Sequence, residues 1–244
     1  MIIGAVLVIA VLGGWYMYSS RSSDKLPKAP TNGNTPASTP AKSGMPPNAP
    51  VGANPPEQSG SPTATVTLEE FADFQCPQCA AQHPTMNEIK SLYGSRIHFI
   101  FRNYPLDIPA HDKAYDAAVA AEAAGMQGKF WDMQNMLYSN QRAWTSDPNY
   151  KQIWKDYATK IGLDLNKWEG DMAGIGAKMR VDEDKKRGKA AGVNSTPTLF
   201  INNVELPFEQ MSVDGIKKVV DAELAKAGGQ SQPAANTSTS NTNK

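Results

Sequence analysis

The stretch Glu70-Phe71-Ala72-Asp73-Phe74-Gln75-Cys76-Pro77-Gln78-Cys79 decides how the rest of this 244-residue chain is read. Before Cys76, residues Thr65–Phe74 alternate so that Val66, Leu68, Ala72 and Phe74 fall on one face, the two-residue period of a β-strand. Glu70 falls on that same apolar face. After Cys76 a helical pattern runs to Tyr93 and is closed by Gly94, with Pro84 expected to kink it. The chain has only 2 cysteines. That excludes a secreted scaffold stapled by several disulfides and leaves room for one catalytic pair.

Two thiols spaced C-x-x-C can close a small disulfide ring when the first sits at the helix start. There the unpaired N–H groups and the helix dipole favour an anion, so the Cys76 thiolate is expected to be stabilised and its pKa lowered. Pro77 suits the first helical position. The same spacing is also half of many zinc sites, and a structural zinc ion takes four ligands. Only His83, His98 and His111 could add soft ligands, and His83 lies four residues after Cys79 on the same helix. A Cys-Cys-His metal-binding module is therefore the rival reading; the redox one is preferred, with no metal or other cofactor. Glu70 has two readings as well. It is either a surface carboxylate displaced by a one-residue register slip, or a buried acid beside Cys79 that exchanges protons with that sulfur.

Arg96–Arg102 has the pattern of a second strand, with Ile97, Phe99 and Phe101 on one side. Residues 110–192 are helical in character: Asp147-Pro148 marks one helix start, Gly162 its stop, and Ala173–Gly176 is undefined. Thr198–Ile201, a turn at Asn202-Asn203 and Val204–Leu206 form a predicted hairpin. A last helix begins at Ser212 and carries Ile216, Val219, Val220 and Leu224 as one buried stripe. Phe130, Trp131, Met133, Met136, Leu137 and Tyr138 are assigned to packing, and His98 and His111 to ordinary strand and loop positions.

Residues 2–18 are apolar and uncharged, a short run beside the roughly 17–25 residues of a membrane span. No basic segment precedes the run and no A-x-A-like site follows it, so residues 1–20 are expected to be an anchor or signal-anchor, or to follow a true start further upstream. Arg21, Lys25 and Lys28 lie after the span, which counts against export of the C-terminal part; the exported orientation is kept on the chemistry of the thiols, since exported compartments preserve disulfides. A disordered Pro/Ser/Thr/Asn-rich linker is expected over 21–62, one domain over 63–227 and a disordered tail over 228–244. Lys plus Arg and Asp plus Glu are 24 each, so there is no basic field to recruit nucleic acid.

Three segments resemble the DsbA-like thioredoxin-fold disulfide oxidoreductases, closest to their membrane-tethered bacterial branch. They are the stretch from Glu70 to Cys79; Gln127-Gly128-Lys129-Phe130-Trp131-Asp132-Met133 ending near Asn140-Gln141, similar to that family's helical insertion; and Gly192-Val193-Asn194-Ser195-Thr196-Pro197-Thr198-Leu199-Phe200-Ile201-Asn202, similar to its cis-proline loop and following strand. The resemblance implies an α/β thioredoxin fold with a helical insertion, about 106–190, between the second strand and the cis-proline loop. It implies that Cys76 is the exposed attacking or attacked sulfur, Cys79 the buried resolving one, Glu70 the acid under the site, and Pro197 a cis-proline facing Cys76. Thr196, Pro197, Pro77 and Gln78 would meet substrate.

The activity so implied is donation of the Cys76–Cys79 disulfide to exported proteins with free thiols, through a mixed disulfide at Cys76. A DsbB-like membrane protein would reoxidise the pair, and a monomer on a single-pass anchor would face the periplasm or exterior. Reduction or isomerisation at the same site is the alternative. Gln78 stands where the oxidase prototype has a His, so a milder oxidant is expected.

Overall fold

The computed structural model of the protein describes residues 44–230. Strand β1 is Glu57–Gly60, β2 Thr67–Ala72, and helix α1 Pro77–Tyr93; β3 follows at His98–Asn103. Six helices come next: α2 (Ala114–Gly125), α3 (Phe130–Ser139), α4 (Gln141–Thr145), α5 (Tyr150–Lys160), α6 (Leu165–Ala173) and α7 (Gly176–Ala190). The chain then returns through β4 (Thr198–Ile201) and β5 (Val204–Leu206) to α8 (Val213–Gln230).

The sheet order is β1-β3-β2-β4-β5. β2 and β3 are parallel, with Glu70 opposite Phe101, and β4 runs antiparallel on the other side of β2, with Glu70 opposite Leu199. A parallel pair needs a crossover, which α1 supplies. This is the thioredoxin fold, with α2–α7 inserted between β3 and the loop before β4.

One face of the sheet carries Val66, Leu68, Phe74, Phe99 and Phe101 in a continuous core with Met86 and Ile89 of α1 and Phe130, Met133 and Leu137 of α3. The other carries Phe71, Tyr104 and Phe200 with Ala191 and Val193. The hairpin forms over the residues the sequence predicts, with Asn202 and Asn203 at φ +48° and +64°. Of the predicted stripe on α8, Ile216 and Val220 are fully buried, while Val219 and Leu224 pack partly buried against the same core.

Three expectations need correction. Glu57–Gly60, assigned above to a linker ending at 62, pairs antiparallel with β3 as the sheet's edge strand. Its polar sequence shows no alternation; partners distant in sequence hold it, as Glu57 pairs with Arg180 at 3.0 Å and His98 meets Gln58 at 2.6 Å. Asp147-Pro148 precedes its helix rather than opening it: Asp147 accepts from the Asn149 N–H at 2.7 Å, and α5 starts at Tyr150. Helix α8 runs to Gln230, past the expected start of the tail.

The membrane expectation is also overturned. Among the described residues no helix is long and apolar enough to cross a membrane, so a single-pass protein with a periplasmic or exterior catalytic domain has no support in the structure. The proposed anchor at 1–20, most of the linker and the tail beyond 230 lie outside the described residues.

Candidate active site

Cys76 ends the β2 turn in extended conformation (φ −70°, ψ 121°) and is the N-cap of α1, with Pro77 at the first helical position. The turn is held from two sides. The Cys76 N–H donates to the Asp73 carbonyl at 3.2 Å, and the buried Gln141 amide donates to the Phe74 and Cys76 carbonyls at 2.8 and 2.9 Å. Asp73 is itself fixed, accepting from the Gln75 N–H at 2.7 Å, the Leu106 N–H at 2.9 Å and His111 Nδ1 at 2.7 Å.

Cys79 lies one turn into the helix, and both thiols are free. Cys76 is 6% exposed and Cys79 1%, so the expected contrast survives only in part: Cys76 is itself nearly buried, beneath exposed Pro77 and Gln78. The Cys76 thiol donates to the Thr196 carbonyl at 3.3 Å. Thr196–Pro197 is cis, and its loop is tied by a bond from Thr198 Oγ1 to the Ser195 carbonyl at 2.9 Å.

The two sulfurs are driven apart in acidity. A hydrogen bond from the Cys79 thiol is the main force lowering the Cys76 pKa to about 5; it outweighs burial and is aided by Thr196 and the N–H groups of Cys79 and Gln78. The Thr196 hydroxyl is buried and has no hydrogen-bond partner among the described residues. Burial, then the neighbouring Cys76, pushes the Cys79 thiol well above its ordinary value. The helix-start argument thus accounts for part of the effect, through two backbone N–H groups; Gln78 contributes its main chain.

Glu70 is buried, 5% exposed, and burial raises its carboxyl to about 7 despite the Lys90 charge. Lys90 in turn lies 4.4 Å from the Trp131 ring centroid and 5.3 Å from that of Phe99. The register is therefore that of a buried acid, but among the described residues no hydrogen bond joins Glu70 to either sulfur. Its neighbour is Tyr138, whose buried hydroxyl has no partner and which feels the charges of both Cys79 and Glu70. His83, the histidine of the rival metal reading, meets Asn135 Oδ1 at 2.7 Å and Asn87 at 3.0 Å, and stacks on Tyr138 at 4.9 Å between centroids.

Asp73, His111, Tyr138, Gln141 and Arg142 complete the surroundings of the pair and were not singled out from the sequence as site residues. Asp73, three residues before Cys76, lay within the first quoted motif, and Tyr138 and Gln141 lay in the segment likened to the helical insertion, without a site role. Tyr138, Gln141 and Arg142 reach the site by folding of the insertion, and His111 by folding of the loop after β3.

A β-α-β unit with a cysteine pair at the helix start and a cis-proline opposite defines the class of thioredoxin-fold proteins. A family model described as Thioredoxin matches residues 55–222, and the chain belongs to that family. Among solved structures, α-DsbA1 of Wolbachia pipientis is 20% identical with a TM-score of 0.62, over 72% of this chain and 94% of that one. The same organism's α-DsbA2, described as a thiol-disulfide exchange protein, is 20% identical with a TM-score of 0.57, over 69% of this chain and 87% of that one. A curated relative, Na(+)/H(+) antiporter NhaA 1 of Mycolicibacterium gilvum, is 35% identical over 145 residues, 59% of this chain but 22% of the antiporter. This chain thus spans less than a quarter of that relative's length.

Proposed function

We propose that the protein is a thiol–disulfide oxidoreductase that oxidises dithiols of other proteins. The observation that carries the reading is the pair of free thiols at the start of α1 facing the cis Thr196–Pro197 loop, with Cys76 bonded to the Thr196 carbonyl at 3.3 Å; the lowering of Cys76 to about 5 and the raising of Cys79 agree with it. A substrate thiolate attacks Cys76 Sγ of the oxidised pair; the S–S bond breaks, Cys79 leaves as a thiolate and takes up a proton. A second substrate thiolate then attacks the substrate sulfur of the mixed disulfide, and Cys76 leaves as a stabilised thiolate. The substrate loses two electrons and the enzyme holds them as a dithiol, so a partner with a higher-potential disulfide or quinone must take them up, as a DsbB-like protein would.

A thiolate stabilised in the reduced form makes its disulfide a stronger oxidant, which supports oxidation over reduction or isomerisation. Glu70 is assigned the proton transfer to and from Cys79. Thr196 and Pro197 are assigned the contact with the substrate backbone, and Pro77 and Gln78 the rim of the site.

The test is oxidation of a reduced, cysteine-containing protein by the oxidised chain. Cys76→Ser should abolish turnover, and Cys79→Ser given a disulfide-containing protein should trap, by attack of the Cys76 thiolate on that disulfide, a mixed disulfide that reductant releases. Turnover that persists in Cys76→Ser would sink the proposal. The reduction potential of the pair fixes the direction: a value near that of thioredoxin would point to a reductase instead.

A further inference from the structure

Two clefts flank Pro77 at the mouth of the site, of about 480 and 380 Å3, within the range of pockets that hold ligand groups. One is walled by Ala80, Tyr138 and Asn140, the other by Gln75, His111 and Ser146, and both share Pro77, Gln141 and Arg142. No aspartate or glutamate lines either cleft. The nearby carboxylates are already engaged: Asp73 by His111 and two N–H groups, Asp112 by Gln75 at 3.0 Å and by Lys113 at 3.0 Å.

Arg142 differs from them. Its side chain is exposed, and among the described residues its guanidinium makes no hydrogen bond or ion pair. It is nonetheless placed with care, because the preceding Gln141 is buried and bonded to the Cys76 carbonyl at 2.9 Å. A cation standing free on a ridge between two carboxylate-free clefts, one residue from the anchor of the reactive turn, is suited to read a negative charge next to the thiol being oxidised. Arginine's fork matches a carboxylate in two parallel hydrogen bonds.

We infer that Arg142 is a specificity-determining residue that selects polypeptides bearing an aspartate or glutamate beside the cysteine to be oxidised. The inference rests on the redox reading of Cys76 and Cys79. The gain lies in encounter and orientation, since charges at the rim of an interface act chiefly on association and are weakened by salt.

The experiment uses the oxidised full chain and two reduced dithiol peptides that differ only in a Glu or a Lys next to the first cysteine. The wild type should oxidise the Glu peptide about three- to tenfold faster, with the ratio shrinking as salt rises to about 0.5 M. Arg142→Gln should bring the ratio close to one and Arg142→Glu should invert it. A wild-type ratio near one, or a ratio that Arg142→Glu leaves in place, overturns the inference. Oxidation of dithiothreitol by the wild type separates the two levels: if it fails, the redox reading falls, and if it proceeds while the peptide ratio is flat, only the role of Arg142 falls.

Discussion

Cys76 carries a sign that can be read in two ways. Its pKa is lowered to about 5 in the reduced protein against about 8.5 in an unfolded chain, so the folded state gives up a proton that the unfolded state keeps. Stability of the reduced form is therefore raised near neutral pH and is lost as pH falls through 5, whereas the disulfide form has no such thiolate. The melting temperature of the reduced minus the oxidised protein should fall between pH 8 and 5, and alkylation of Cys76 should be half-maximal near pH 5; a midpoint near 8.5 would rule out the stabilised thiolate. Glu70 runs the opposite way. Its carboxyl is raised to about 7 by burial, so ionisation costs stability as pH climbs through that value. Glu70→Gln should melt higher than wild type at pH 8 and alike at pH 5, and the exchange rate should lose a step near pH 7. An identical rate profile from pH 5 to 9 would make the carboxylate structural.

Strand β2 is two-faced, and the face away from the thiols is polar only in composition. Glu69, 3% exposed, binds Arg102 at 2.6 Å and Arg187 at 2.6 and 2.7 Å, and Arg102 continues to Asp184 at 2.9 Å. Burial raises the Glu69 carboxyl, and its bonds to Arg187 and Arg102 outweigh that and hold it below the ordinary value. Helix α7 can approach this face because Gly188 has no side chain there: a Cβ would stand 2.5 Å from the Tyr104 ring. Removing one partner of a buried ion pair leaves the other uncompensated. Glu69→Ala should therefore cost about 3–5 kcal/mol in urea unfolding, while the Cys76 alkylation profile stays put; a loss below about 1 kcal/mol would mean that water already reaches the network.

For the whole molecule, the segment before β2 is a strap held by three arginines. Arg187 donates to the Pro50 carbonyl at 2.8 Å, Arg102 to those of Val51 and Ala53 at 2.9 and 3.0 Å, and Arg180 to that of Pro55 at 2.9 Å. Arg180 also pairs with Glu122, which burial raises to about 8 and which Asn103 bonds at 2.6 Å. A chain shortened to begin at residue 61 should melt lower than one beginning at residue 44 by about 10 °C, since several kcal/mol of pairing and the edge strand go together. Equal melting temperatures would show that the strap adds nothing to the fold.

Local pattern sufficed wherever a residue's role depends on its near neighbours. The alternation of Val66 to Phe74, the thiol spacing, Pro77 at the helix start and the Asn202-Asn203 turn all express short-range geometry, so these elements and the place of the thiol pair at a helix start were legible before any coordinates, and the family resemblance of the same segments implied the thioredoxin fold. Glu57–Gly60 was not, because an edge strand of polar residues is chosen by Arg180, His98 and the β3 backbone rather than by its own sequence. Nor were Asp73–His111, Tyr138 and Arg142 legible as neighbours of Cys76, since up to 66 positions separate them from it and only the packing of the insertion brings them together. The sequence alone thus determined which two thiols stand within one turn of each other at the start of a helix. The tertiary structure decided how acidic each thiol is, because burial, the partner sulfur and Thr196 are all set by residues that meet only in the fold.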